Sequence, residues 1–305
     1  MNRGFRKKKM DRARKFLPPK NVNVVVHHSP CNDGHASAAI VYHEISEDII
    51  FIGIHPKDEL LTDYVSQVIT GRNVLMIDIA FSPETIEKAS KLVNSLLIID
   101  HHVTNETTLK ELSIQNVHTV FVMGEAGVQL TWKYVHGDEK PIPRSLEYIG
   151  LKDVWKHEDN ESALYFTTAF ERPQTLSDWY PVIGDVCTDQ TIEKGRIIYD
   201  YQRSVLKTMM EKVGYTNWRG YRMAIVNVPF PWISDIGAMM CEEDPENTIA
   251  VIWNKPVYGG YSVSLRTHNP LGPNVEAIAR EFKGGGHVHG AGLRLDDLPY
   301  KIFSE

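Results

Sequence analysis

Residues 96–102 read LLIIDHH, a run of four apolar residues that ends abruptly in one aspartate and two histidines. A short apolar run of this kind predicts a buried β-strand. Asp100, His101 and His102 then lie at its carboxyl end. In open parallel sheets, ligands bind at the carboxyl ends of the strands. The stretch therefore predicts a cluster of functional side chains at one edge of a sheet.

Two other predicted strands, at residues 21–27 and 73–79, lead into or contain the same residue types, namely His28, Asp33, His35 and Asp78. Buried carboxylates are costly unless they are paired or bound to a metal. Imidazole and carboxylate ligands suit Mn²⁺, Fe²⁺, Co²⁺ or Zn²⁺ better than Ca²⁺. The convergence of these side chains on one sheet edge predicts a divalent-metal site.

The secondary-structure pattern predicts an α/β protein with two domains. Strands alternate with helices of about ten residues up to residue 122, which indicates a parallel sheet with helices on both faces. Apolar residues at helical spacing from Asp189 predict a long helix between two differently patterned halves. The predicted bounds are 1–20 for a basic arm, 21–188 for the first domain, 189–214 for the linker helix and 215–305 for a smaller α+β domain.

The composition excludes several classes of protein. Of the 305 residues, 42% are hydrophobic and 24% charged, which is typical of a globular protein. The apolar runs are far shorter than the roughly 18 residues that a membrane span needs, and residues 1–20 lack the apolar core of a signal peptide. Three scattered cysteines do not form a disulfide framework. We therefore expect a cytoplasmic protein that makes no membrane contact.

The net charge of −6 conceals an asymmetry along the chain. Residues 1–20 contain nine Lys or Arg and one Asp, a net charge of +8, so residues 21–305 carry −14. Such a basic arm could steer the protein to nucleic acid or to an acidic partner. It could equally be a solvated tail that ends at Pro18 and Pro19.

The triplet at residues 100–102, after an apolar strand, resembles the signature of the DHH phosphoesterases, which are manganese-dependent enzymes that act on nucleotides. Three further blocks agree with that family in order and spacing: HSPCNDGHASAA (28–39), VLMIDIAFSPETI (74–86) and YIGLKDVWKHEDN (148–160). The second domain resembles the associated DHHA1 domain through SLR (264–266), a helix at 275–282 and GGGH (284–287). The resemblance covers about residues 22–295.

The resemblance implies two Mn²⁺ ions that together activate a water molecule. By position, His28, Asp33 and Asp78 would hold one ion. Asp78, His101 and Asp153 would hold the other, so that Asp78 bridges the pair. Asp153 is implied by the resemblance alone, since its place in a helical pattern does not indicate a ligand.

The resemblance also implies roles for the remaining residues of the cluster. His102 would face the substrate phosphate, and Asp100 would orient a histidine or the strand end. His35 stands where the family often has an aspartate. It could ligate the second ion, shifting the preference toward Co²⁺, Fe²⁺ or Zn²⁺, or it could point away and weaken that site.

In the second domain, the resemblance implies a clamp for the phosphate or base of a nucleotide. A glycine-rich loop lets backbone N–H groups approach an anion closely, and an arginine suits bidentate phosphate contact. The residues of this predicted substrate site are Arg266, Gly284, Gly285, Gly286 and His287.

These observations lead us to expect a phosphoesterase that hydrolyses short oligonucleotides, cyclic dinucleotides or 3′-phosphoadenosine phosphate in the cleft between its domains. One alternative is an exonuclease on longer single strands, which the basic arm favours and the acidic body disfavours. Another is a nucleotide-binding sensor whose catalysis has lapsed at His35. The sequence leaves the oligomeric state open.

Overall fold

The structure is a computed structural model that describes residues 3–157 and 159–304, with the backbone alone for residues 3–6. It divides into a first unit, Met1–Tyr199, and a second unit, Asp200–Glu305. The division falls within a long helix, Thr188–Met210. The predicted α/β class with a second, mixed-sheet domain is confirmed.

The sheet of the first unit has five parallel strands: β1 (Val24–His28), β2 (Ile50–Ile54), β3 (Asn73–Ile77), β4 (Ser95–Asp100) and β5 (Val117–Phe121). Their order across the sheet is β2-β1-β3-β4-β5, and every neighbouring pair is parallel. The winding direction reverses between β1 and β3. In open sheets this switch point leaves a crevice at the carboxyl ends of the two strands, where ligands bind.

The helices of the first unit are α1 (Arg3–Phe16), α2 (Asn32–Glu44), α3 (Asp63–Ile69), α4 (Pro83–Ser90), α5 (Glu106–Glu111), α6 (Gly127–His136), α7 (Arg144–Asp153), α8 (Glu161–Ala169), α9 (Tyr180–Ile183) and α10 (Thr188–Met210). None of the helices within residues 3–157 and 159–304 is both long enough and apolar enough to cross a membrane.

Helices cover both faces of the parallel sheet, because successive strand side chains point to opposite sides. Val74 and Met76 of β3 share a buried cluster with residues of α3, α4 and α5. Leu75 and Ile77 share another with residues of α1, α2 and α6. Burial on both faces explains why these strands are almost wholly apolar until they reach the carboxyl edge.

Helix α1 packs against the rest of the first unit. The interpretation of residues 1–20 as a solvated tail is therefore wrong for the part that the structure describes. Met10, Ala13 and Leu17 lie on one helical face and are at most 1% exposed. The Tyr134 hydroxyl donates a hydrogen bond of 2.7 Å to the Leu17 carbonyl oxygen. The sequence did not indicate this buried face, because charged residues outnumber apolar residues in this segment. The side chains of Arg3 and Arg6 lie outside the described residues.

The second unit contains a six-stranded sheet with strands β6 (Gly214–Trp218), β7 (Tyr221–Asn227), β8 (Thr248–Asn254), β9 (Tyr261–Arg266), β10 (Gly285–His287) and β11 (Gly290–Leu295). The strand order is β10-β11-β9-β8-β7-β6, in which β7 and β8 are parallel and the other pairs antiparallel. Its helices are α11 (Ile233–Cys241), α12 (Val275–Glu281) and α13 (Pro299–Ile302).

The glycine cluster expected to form an anion-binding loop is mostly strand β10, paired with β11. Gly286 has φ of +149°, and a Cβ atom there would lie 2.6 Å from the Cα atom of Ala291. Glycine is therefore required for the close approach of the two strands. The glycine at position 286 thus has a structural cause that does not depend on an anion.

Replacing Leu17 by Ala tests the packing of α1. Because Leu17 is buried, we expect Leu17→Ala to lower the free energy of unfolding by about 2–5 kcal/mol, measured by urea denaturation. Exposed Lys15→Ala should change it by less than about 0.5 kcal/mol. Equal, small effects of both substitutions would show that α1 is not packed in solution.

Candidate metal centre

The carboxyl edge of the parallel sheet gathers the titratable residues that the sequence singled out. His28 ends β1, Asp33 lies in the first turn of α2, Asp78 follows β3 and Asp100 ends β4. Their possible ligand atoms fall into three groups, each with all atoms within 4.8 Å of one another: Asp78, Asp100, His101 and His102; His28, Cys31 and Asp78; Asp33, His101 and Asp153. The cluster lies at the switch point of the sheet.

Asp78 lies at the centre of the cluster. Its Oδ1 atom is 3.0 Å from Nε2 of His101, and its Oδ2 atom is 3.3 Å from Nδ1 of His28. The residue is 1% exposed and has φ of +61°. A left-handed backbone at a residue other than glycine costs on the order of 1–3 kcal/mol and is concentrated at functional sites. The fold therefore holds this carboxylate in a costly conformation, turned into the cluster.

The carboxyl groups of the cluster have opposite pKa shifts. Burial alone would raise the pKa of Asp78, but the hydrogen bond with His101 and the nearness of His28 outweigh it, so the pKa lies below its usual range. Burial and the charge of Asp78 hold the pKa of Asp33 well above its usual range. The same two causes raise the pKa of Asp153. Burial and mutual repulsion thus oppose the ionisation of two of the three carboxyl groups.

Asp33 also anchors the start of helix α6. Its two carboxylate oxygens accept hydrogen bonds of 2.6 Å and 2.7 Å from the backbone N–H groups of Gly127 and Val128. A Cβ atom at Gly127 would lie 2.8 Å from Cβ of Asp78. Gly127 therefore allows α6 to approach the cluster. Gly127 was not predicted, although a glycine at the first position of an apolar helix was an available signal.

His101 lies between the sheet edge and helix α7. Its Nε2 atom is 3.2 Å from an Asp153 oxygen and 3.5 Å from an Asp33 oxygen. Asp153 is the last residue of α7 and reaches the cluster from outside the sheet. Because Asp153 does not lie at a strand end, the strand-end pattern did not predict it. The family resemblance did.

Asp100 organises the turn after β4. Its Oδ1 atom accepts hydrogen bonds from the backbone N–H of His101 at 2.8 Å and from Nδ1 of His102 at 2.7 Å. Its Oδ2 atom accepts one of 2.6 Å from Nδ2 of Asn105. The hydrogen bond with Asp100 raises the pKa of His102 to about 9. Asn105 was missed because nothing in its sequence context marks it.

His35 lies beside this cluster, whereas Cys31 belongs to the group formed with His28 and Asp78. The Nε2 atom of His35 is 3.1 Å from the Ser29 hydroxyl, and its ring centroid is 5.0 Å from that of His27. Among the described residues, His35 belongs to none of the three groups; its role as a ligand stays a prediction. Burial and the nearby Asp78 raise the pKa of the Cys31 thiol to about 12, which disfavours the thiolate form.

The donors of the cluster fit a divalent transition-metal ion. Nδ1 of His28 and Oδ2 of Asp78 are buried, and neither has a hydrogen-bond partner within the described part of the chain. Leaving a buried polar group without a partner costs about 1–3 kcal/mol. A cation would engage both atoms, and imidazole with carboxylate ligands is typical of Mn²⁺, Fe²⁺, Co²⁺ and Zn²⁺.

The predicted substrate residues of the second unit share one sheet. Arg266 ends β9 and is paired with Gly290 of β11, and β10 lies on the other side of β11. The Nη1 atom of Arg266 donates a hydrogen bond of 2.9 Å to the Leu265 carbonyl oxygen, and burial lowers the pKa of the guanidinium. Gly285, Gly286 and His287 are exposed. A role in substrate binding stays a prediction for all of them.

Addition of Mn²⁺ tests whether the cluster binds a metal. An ion that binds only the folded chain raises the free energy of unfolding by about 2.7 kcal/mol at 100 times its dissociation constant. We expect this stabilisation in the wild-type protein and in the exposed control Asp48→Asn, and its loss in Asp78→Asn. Asparagine tolerates the left-handed backbone, so this variant should fold. Equal stabilisation of all three proteins would show that Mn²⁺ binds elsewhere.

Comparisons with known proteins identify the fold of the chain. No family model matches the sequence. Uncharacterized protein R106 of Acanthamoeba polyphaga mimivirus is 27% identical over 304 residues, which cover 92% of this chain and 71% of that protein.

Solved structures match as well, among them the following two. RecJ from Thermus thermophilus in complex with Mn²⁺ has a TM-score of 0.49 and is 11% identical in sequence. The match covers 97% of this chain and 53% of the RecJ chain. The pGpG-specific phosphodiesterase PggH from Vibrio cholerae has a TM-score of 0.51 and is 11% identical in sequence. The match covers 90% of this chain and 93% of the PggH chain. The chain therefore has the fold of that phosphodiesterase.

Proposed function

We propose that the chain is a metal-dependent phosphoesterase of the DHH family that hydrolyses small nucleotides. The observation that carries the proposal is the buried carboxylate of Asp78, held at the switch point of the sheet between His28 and His101. The order of the sequence motifs supports the family, and the fold shared with PggH supports a phosphodiesterase chemistry. Short oligonucleotides, cyclic dinucleotides and 3′-phosphoadenosine phosphate are the substrates that we propose.

The proposed ligands divide into two sets that share one carboxylate. His28, Asp33 and Asp78 would hold one ion, and Asp78, His101 and Asp153 would hold the second. Divalent ions held by these residues, with Mn²⁺ as the proposed metal, would supply an activated water and would neutralise charge on the phosphoryl oxygens. Metal ligands must be deprotonated, so ion binding would oppose the burial and repulsion that raise the pKa of Asp33 and Asp153.

His102 is the proposed contact to the substrate phosphate. The Nδ1 atom of His102 lies 2.7 Å from Oδ1 of Asp100. The Nε2 atom of the same ring is left to face a phosphoryl oxygen. A hydrogen-bond donor fixed in this way stabilises charge that develops in the transition state without reorganisation. Asn105 in turn fixes the second oxygen of Asp100, so the chain Asn105–Asp100–His102 would set the position of the donor.

Hydrolysis of the dinucleotide pApA in Mn²⁺ tests the proposed activity. We expect release of mononucleotide by the wild-type protein and a loss of at least about a hundredfold in kcat for Asp78→Asn, because the shared ligand is weakened while size and backbone preference are kept. Asp48→Asn is the control and should retain full activity. Wild-type rates in Asp78→Asn would refute the proposed centre, and metal-dependent binding without turnover would favour a sensor.

The exposed face of α1 favours longer single strands as a second candidate substrate class. Lys8, Arg12 and Lys15 are spaced four and three residues apart, so they share one face of the helix. Within the described residues, none of these three side chains forms an ion pair with a carboxylate. A row of such cations is suited to a phosphate backbone.

The N-terminal turns of α1 lie toward the edge of the sheet that carries the proposed metal centre. The Lys9 ammonium donates a hydrogen bond of 2.7 Å to the carbonyl oxygen of Phe121, which ends β5, and Phe121 is paired with Asp100. Toward its other end, the Phe16 ring centroid is 5.4 Å from that of His118. The early turns of α1 therefore lie toward the carboxyl edge. A strand hydrolysed at that edge could extend along the basic face.

A charge-reversal variant of this face tests the second candidate. We expect Lys8→Glu/Arg12→Glu/Lys15→Glu to lower kcat/KM for a 20-nucleotide strand while leaving that for pApA unchanged. Loss of three phosphate contacts should also reduce the slope of log affinity against log salt by about 2. The control Lys57→Glu/Lys88→Glu/Lys91→Glu changes the net charge equally outside α1. Identical effects of the two variants on the 20-mer would exclude a dedicated nucleic-acid surface on α1.

A further inference from the structure

Trp155, two residues after Asp153, occupies a backbone position that normally belongs to glycine. Its φ is +57°. Its N–H donates a hydrogen bond of 3.2 Å to the Lys152 carbonyl oxygen, and the next N–H, of Lys156, donates one of 2.8 Å to the Leu151 carbonyl oxygen. These two bonds are the Schellman ending of α7, in which the left-handed residue is usually glycine because it has no Cβ atom.

A tryptophan at this position has a cost that packing does not offset. A left-handed backbone costs a residue with a Cβ atom roughly 1–2 kcal/mol, and a large aromatic side chain normally recovers free energy by burial. The Trp155 side chain is instead 75% exposed. The backbone conformation therefore disfavours a tryptophan at this position, and the indole does not pack in the core. This combination indicates a role other than stabilising the fold.

The surroundings of Trp155 identify what it could contact. Trp155 lines a cavity of about 300 Å³, together with two carboxylates of the proposed metal centre, Asp33 and Asp153, and with apolar side chains that include Ile149 and Phe170. Cavities of this size lie at the lower end of the range for small-molecule sites. An exposed aromatic ring and the proposed reactive centre thus open onto the same space.

The indole is also held in position by its neighbours. The Lys152 ammonium lies 5.7 Å from the centroid of the Trp155 ring, within the range of a cation–π contact. That ammonium is 2.9 Å from Nε2 of His157, a side chain that is only 2% exposed. A buried imidazole thus anchors the lysine, and the lysine restrains the ring at the rim of the cavity.

We propose that Trp155 is a stacking platform for a nucleobase of the substrate, which positions the adjoining phosphodiester against the wall formed by Asp33 and Asp153. The proposal rests on the proposed function, since it assumes that a nucleotide is the ligand. Stacking on an aromatic ring suits every base, because each has a π face. Trp155 would then set affinity for a base next to the scissile bond with little preference for its identity.

Trp155→Gly separates the proposed role from a structural one. Glycine relieves the left-handed backbone, so the melting temperature should stay equal or rise, whereas loss of a structural side chain would lower it. Loss of one stacked base should raise KM for pApA about fivefold to a hundredfold. KM for an abasic analogue of the same dinucleotide should be unchanged. Trp155→Phe should keep most of the affinity, and Tyr64→Ala, at an exposed aromatic on α3, is the control.

Equilibrium binding of pApA in Mn²⁺, followed by titration calorimetry, distinguishes failure of this inference from failure of the proposed function. If Trp155→Gly binds and hydrolyses pApA as the wild type does, the platform is refuted and the phosphoesterase stands. If the wild type binds pApA without hydrolysing it and Trp155→Gly binds more weakly, the platform stands and the activity is refuted. If the wild type does not bind pApA, both are refuted.

Discussion

The buried carboxylate of Asp78 is the constraint around which the first unit is organised. It is almost completely excluded from water, it has a left-handed backbone, and two imidazoles approach it from the neighbouring strands β1 and β4. A charge in such a place is tolerated only where opposite charges or a metal compensate it. The parallel sheet supplies this compensation at its switch point, where three strand ends meet.

Other features of the site follow from the need to hold several carboxylates together. Asp33 is stabilised by two backbone N–H groups at the start of α6, and Gly127 gives that helix room to approach. Asp100 is stabilised by backbone and side-chain donors of its own turn. Asp153 reaches His101 from a helix outside the sheet. A divalent cation would offset the repulsion among these carboxyl groups in the centre that we propose.

The sequence predicted the parts of this arrangement that depend on strand ends. Asp78, Asp100 and His101 could be found because each interrupts or ends an apolar run, and the edge of a parallel sheet brings such residues together. Asp153 and Gly127 could not be found in this way, since helix packing brings them to the cluster. The same applies to α1, whose buried residues are outnumbered by charges, and to Gly286 of β10, which allows the close approach of β11. The left-handed backbone at Trp155 has no sequence signal.

Anomalous diffraction at the manganese absorption edge, from crystals of the wild-type protein grown with Mn²⁺, tests the central claim most directly. We expect two peaks about 3.5–4 Å apart, one on each side of the Asp78 carboxylate, with His28 and Asp33 beside the first and His101 and Asp153 beside the second. A map without a peak next to Asp78 would contradict the proposed metal centre and the activity inferred from it.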